Sequence, residues 1–269
     1  MTTLYDVLYT IYDLLGQLEG GSASDGGATT CVTTDEWWKD LDNDRFNRGI
    51  IFLPADSVYA KITDFAATGT AATFTFATLP DSLEVTAADV FAAADRNYPM
   101  DDVIRKINLV LRTNRVPKED TSLTTIAGQT AYDVPAAAKG QVKQVWIRQE
   151  NSTTDPHPMP DTTWYIRQGP ATEQIVFRKE PASGKTIWIK YMGAPDAVSD
   201  YDDTIDSGFP LALLAAMVMF ELAREQWQKS HGENEQDALE EAGVYLRNVR
   251  RNHRIARVSK HTRSLLGKR

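Results

Sequence analysis

Phe209-Pro210-Leu211-Ala212-Leu213-Leu214-Ala215-Ala216-Met217-Val218-Met219-Phe220 is the longest apolar run in the chain. It continues as a helical pattern to about Lys229, apolar around most of its circumference. A helix of that kind is expected at the centre of a core. The run is flanked by Asp206 and Glu221 and is about half the roughly 18 residues a membrane span needs. It therefore reads as a buried helix of a soluble protein. His231-Gly232 breaks it. A last helix follows from Glu233 to roughly Ser264, acidic at its start and basic at its end, an order that complements the helix dipole.

Two more helices are expected upstream. Residues 3–18 carry Leu4, Val7, Leu8, Ile11, Leu15 and Leu18 at helical spacing, and Thr3 with Asp6 fits a capping box. Pro99 and Asp101-Asp102 suit the start of a helix over Met100 to Thr113, with Val103, Ile104, Ile107, Val110 and Leu111 on its buried face. Between these helices lie strand-like runs. Residues 20–30 read as a flexible Gly/Ser loop. Gly49 to Leu53, Val58 to Phe65, Thr73 to Phe76 and Val85 to Phe91 read as strands. In the second β region the strands are Ser122 to Ile126, Thr130 to Val134, Val142 to Gln149, Thr163 to Arg167, Gln174 to Lys179 and Lys185 to Met192. Thr186-Ile187-Trp188-Ile189-Lys190-Tyr191 alternates as a half-buried strand does.

The expected fold class is α+β: a helical bundle core from N-terminal, middle and C-terminal helices, with two β-rich insertions. The expected divisions are the N-terminal helix 1–21, a β-rich insertion 22–96, a core helix 97–118, a second β-rich region 119–198, C-terminal core helices 199–246 and a basic tail 247–269.

The chain has 269 residues and a net charge of −8. From Arg247 to the end there are nine Lys/Arg and no Asp or Glu, leaving 20 basic against 37 acidic residues elsewhere, a balance of −17. The nine are Arg247, Arg250, Arg251, Arg254, Arg257, Lys260, Arg263, Lys268 and Arg269. The arginines at 247, 250, 251, 254 and 257 follow helical spacing and form a cationic stripe. Such segregation points to a negative partner, either nucleic acid or an acidic protein face, although a solvated helix end has the same composition. No aromatic residues interleave with the cations as they do where bases stack.

Catalytic patterns are scarce, and no cofactor, metal or enzymatic activity is expected. His157, His231, His253 and His261 lack metal-ligand spacing. Glu180-Pro181-Ala182-Ser183-Gly184-Lys185-Thr186 resembles the end of a phosphate loop, but Lys179 stands where the first glycine belongs and no helix follows; a hairpin turn is expected. The one cysteine, Cys31, rules out an intrachain disulfide and has no local cation to activate it. Asp40, Asp42 and Asp44 alternate as in a calcium loop, but Arg45 replaces the required glycine. Asp200 to Asp206 reads as a solvated acidic loop; an acid pair such as Asp200 and Asp202 would serve glycan cleavage only across a fixed cleft. Trp37-Trp38, among charges, fits either a β core or a subunit contact, where tryptophan is enriched.

Three stretches carry a family resemblance. The first is Gly20-Gly21-Ser22 through Thr30, with Arg48-Gly49-Ile50-Ile51-Phe52, Ile62-Thr63-Asp64-Phe65 and Thr73-Phe74-Thr75-Phe76. The second is Gly128-Gln129-Thr130-Ala131-Tyr132-Asp133-Val134-Pro135, with Val142-Lys143-Gln144-Val145-Trp146-Ile147. The third is Asp206-Ser207-Gly208-Phe209-Pro210, opening an apolar helix and then a basic tail. Together they resemble the head-to-tail adaptor (connector) proteins of tailed bacteriophages.

The resemblance implies a structural virion protein, made in the host cytoplasm and placed in the neck. It implies a homo-oligomeric ring, commonly dodecameric, beneath the portal protein and joined to other neck and tail proteins, with double-stranded DNA passing through its lumen. It also implies that the C-terminal segment, here Arg247 to Arg269, reaches the portal. A stopper, tail terminator or decoration subunit is the alternative. The missing helix-turn-helix signature and the acidic body argue against a DNA-binding regulator.

Overall fold

The computed structural model describes residues 2–147, 163–169, 172–206 and 209–257. Its helices are α1 (Leu4–Leu14), α2 (Glu36–Lys39), α3 (Met100–Thr113), α4 (Leu211–Ser230) and α5 (Glu233–Arg257). Its strands are β1 (Glu19–Ser22), β2 (Asp25–Gly26), β3 (Thr30–Thr33), β4 (Ile50–Leu53), β5 (Val58–Ala67), β6 (Ala72–Phe76), β7 (Val90–Ala94), β8 (Val116–Thr124), β9 (Ala131–Asp133), β10 (Val142–Ile147), β11 (Trp164–Gln168), β12 (Glu173–Phe177) and β13 (Thr186–Gly193). They form two compact units, residues 1–111 with 196–269, and residues 112–195.

The first unit corrects the expected fold. Its centre is not a helical bundle but an antiparallel seven-stranded sheet in the order β1-β7-β4-β5-β6-β3-β2. β5 bends at an irregularity between Ile62 and Asp64, pairing with β4 before it and with β6 after it. The two ends of the order, β1 and β2, are consecutive pieces of one segment. Ala23 N–H reaches Asp89 O at 2.8 Å on the β7 side, and Ser24 N–H reaches Val32 O at 2.7 Å on the β3 side. One segment, 19–26, thus borders both β7 and β3, and the sheet curls back on itself.

The inside of the curl is filled by alternating side chains: Ile51, Leu53, Val58, Ala60, Ile62, Phe65, Phe74, Phe76 and Phe91, together with Trp38 and Phe46 from the connections. The outer face of β4 is covered as well. Tyr5, Tyr9 and Tyr12 of α1 set their rings 5.7, 5.3 and 5.9 Å from Phe52. All four residues of β4, Ile50-Ile51-Phe52-Leu53, are buried, as a strand covered on two faces requires. The stripe of α1 therefore faces a sheet as well as α4, and helical periodicity does not distinguish these partners.

The expected loop 20–30 is also corrected, since it supplies β1, β2 and the start of β3. Gly21 is there for close approach: a Cβ on it would stand 2.6 Å from both Phe91 Cζ and Trp38 Nε1. The strand expected from Val85 begins instead at Val90.

The second unit is two three-stranded antiparallel sheets, β10-β13-β8 and β11-β12-β9. They share a core of Tyr132, Val134, Val145, Trp164, Ile175, Phe177, Ile187, Ile189 and Tyr191. β13 alternates buried and half-buried along its length. The connection at Ser183-Gly184 is not a hairpin, because β12 and β13 belong to different sheets. Thr125 staples it: Oγ1 donates to Ala182 O at 2.6 Å and accepts from Lys185 N–H at 2.8 Å. Gly184 turns at φ +74°.

Candidate functional site: the cationic helix and its support

α4 and α5 pack against each other as an antiparallel pair. The turn between them depends on His231, which takes a left-handed conformation (φ 53°) and donates its N–H to Trp227 O at 2.8 Å. The geometry satisfies a terminal carbonyl of α4 and reverses the chain.

α4 is fixed to the rest of its unit by charge and by hydrogen bonds. Lys106 of α3 is buried and ion-paired to Glu225. Glu225 also meets Lys229 at 2.9 Å and Arg105 at 3.5 Å. Hydrogen bonds from Lys106 and then Lys229 hold the Glu225 carboxyl down to about 2. Tyr12 donates to Tyr98 O at 2.6 Å, and Tyr98 donates to Gln226 Oε1 at 3.0 Å, tying α1 through the segment before α3 to α4.

The loop that returns the chain to this unit is clamped as well. Asn108 Nδ2 donates to Val198 O at 2.7 Å and Val198 N–H donates to Asn108 Oδ1 at 2.9 Å. A side-chain amide here takes the place of a strand partner.

On α5, Ala242 and Leu246 are buried. Arg247, Arg250 and Arg251 are exposed. The backbone of Arg254 and Arg257 continues the helix to its end at Arg257. Their side chains, and Lys260, Arg263, Lys268 and Arg269, lie outside the described residues, as do His157, His261 and the side chain of His253. The three described arginines thus stand away from the α4 contact, at the spacing of the stripe read from the sequence.

The tryptophan pair divides. Trp38 is 1% exposed in the core of the curled sheet, its ring 5.2–5.4 Å from Phe46, Phe74 and Phe91. Trp37 is 58% exposed and donates Nε1–H to Glu19 Oε2 at 2.8 Å. Of the pair, Trp37 alone is open to solvent.

The acidic loop is a structural cap. Asp203 O and Tyr201 O accept from the N–H groups of Leu4 and Tyr5 at 2.9 and 3.3 Å, serving the start of α1. This complements the Thr3–Asp6 capping box. Asp203 Oδ2 accepts from Asp200 N–H at 2.9 Å and Ser199 N–H at 2.6 Å, and these bonds lower its pKa. Cys31 is fully buried, and burial, then Asp89, pushes its thiol up to about 12, so it stays protonated at neutral pH. Among the described residues no group of three or more His, Cys, Asp or Glu could hold a metal ion.

Sequence reasoning missed Asn108 and the Lys106–Glu225 pair. Both involve polar positions on helices with a buried apolar face, which is the only trace they leave in the sequence. No curated protein matches the chain. The family described as "SU10 adaptor protein" matches residues 75–263, from inside β6 through α3, the second unit and the α4–α5 pair into the basic segment. With most of its length covered by that match, the chain belongs to the SU10 adaptor protein family and is a tailed-phage adaptor protein.

Proposed function

We propose that copies of this chain close into a ring beneath the portal, join it to the tail, and let DNA pass through the lumen. Adaptor membership makes the chain a virion-associated structural protein that contacts other phage head or tail proteins. Closing a ring takes heterologous contacts between copies. The observation that carries the finer reading is the outward set Arg247, Arg250 and Arg251 on a helix whose other side is fixed to α4. This places cations at the head of an acid-free segment, suited to an acidic portal surface in a salt-dependent contact.

The test is binding of purified protein to purified portal at rising ionic strength. The triple variant R247Q/R250Q/R251Q keeps the fold and loses about tenfold or more in affinity, and wild-type binding weakens with salt. Equal affinity of variant and wild type overturns the assignment. Binding to a tail protein in place of the portal selects the stopper or terminator role.

A further inference from the structure

Trp37 has no part in portal docking as proposed, yet it is built for contact. Of the six tryptophans in the chain, it is the one with more than half its surface open. Its indole is also held. Glu19 Oε2 accepts its N–H at 2.8 Å, while Glu19 Oε1 is paired with Arg45 at 3.0 Å. Glu19 is itself anchored in β1 opposite Ala93. An exposed aromatic ring already fixed in position loses little freedom on binding, which is the character of an interface hot spot.

The acidic residues that flank it in the chain define what it can receive. Asp35, Glu36, Asp40, Asp42 and Asp44 are all exposed. Asp40 follows Trp37 by three residues, about one helical turn. The cations nearby are engaged, Lys39 with Glu36 at 2.7 Å and Arg45 with Glu19. An exposed aromatic ring in an acidic stretch selects a guanidinium or ammonium group, which stacks on the ring and pairs with the acids. It repels DNA and acidic surfaces.

The chain carries a segment of that chemistry, Arg247 to Arg269, with nine cations and no acid. In an assembly of identical copies, receiving faces and basic segments occur in equal number. We infer that the Trp37 face of one copy seats the basic C-terminal segment of a second copy, with a cation over the indole and others paired to Asp40 and Asp42. The inference rests on the reading of that segment as a docking element. The portal is its competing seat, so the neighbour holds the segment until the portal displaces it.

The experiment uses the full-length chain without portal, so its outcome is independent of portal docking. Light and 15N-labelled protein are mixed and treated with a carbodiimide, which joins only amines and carboxylates in direct contact. Mass spectrometry then reads the joined peptides. The expected result is Lys260 or Lys268 coupled to Asp40 or Asp42 in mixed-isotope pairs, reduced by salt and reduced roughly fivefold in Trp37→Ala. Absence of these pairs in wild-type protein overturns the inference. So do same-isotope pairs alone, or a yield indifferent to Trp37→Ala in protein that melts as wild type does. If Trp37→Ala fails to fold, the second measurement is acrylamide quenching of wild-type tryptophan fluorescence. Added 247–269 peptide protects against quenching if the inference holds, and has no effect if it does not.

Discussion

Glu225 is ion-paired with three cations, one of them a lysine withdrawn from water. Its carboxyl is held at about 2 in the folded chain against 4.5 when free. A carboxylate with a lowered folded pKa stabilises above its unfolded value and loses that contribution as pH falls through the folded one. Glu225→Gln should therefore cost about 2–3 kcal/mol near neutral pH, and the deficit against wild type should shrink between pH 4.5 and 2. Urea melts of both proteins across that range check it. A constant deficit would show that the charge is not what matters. Asn108 is tested in the same way. Asn108→Asp sets a carboxylate oxygen against Val198 O and should cost about 2–3 kcal/mol, whereas a surface asparagine such as Asn248 should tolerate the change.

At the scale of elements, α5 has two parts with different roles. Its first part, as far as Leu246, is a support, since Ala242 and Leu246 are buried. A chain ending after Gly243 should lose stability as well as docking, whereas one ending after Arg251 should melt within a few degrees of wild type and lose portal affinity. Thermal melts read beside portal binding separate the two. The helices were the most legible elements. Pro99 with Asp101-Asp102 placed α3 at Met100–Thr113, and Thr3 with Asp6 placed the start of α1. β13 was legible because one of its faces is buried and the other half-buried. Less legible was what each apolar face touches. β4 is too short for its four-residue run to show that a helix lies on one side and an aromatic core on the other. The glycines at 20–27 read as freedom, whereas Gly21 makes room for two rings. Nothing in Trp37-Trp38 as a pair says which ring turns inward; that depends on Phe46, Phe74 and Phe91, far apart in the chain.

Across the whole molecule, charge is divided by position: −17 over the first 246 residues and +9 over the last 23. The division was visible in the sequence, and so was the adaptor family that the match over 75–263 establishes. The sheet at the centre of the first unit was not, and a helical bundle was expected in its place, because composition and periodicity count apolar faces without pairing them. A molecule charged in this way should associate with itself and with partners through contacts that weaken at high salt. Raising ionic strength from about 0.05 to 0.5 M, which cuts the screening length roughly threefold, should shift purified protein towards smaller species by light scattering. Oligomers unchanged by salt would point to apolar ring contacts instead.

The segment 19–26 borders strands on both sides of the curled sheet. A β-rich protein risks joining other chains through open backbone, the route by which sheets grow into fibres. In this unit the segment is engaged with β7 through β1 and with β3 through β2. A contact made at this seam would fall to side chains, which can discriminate between partners as a bare peptide ladder cannot.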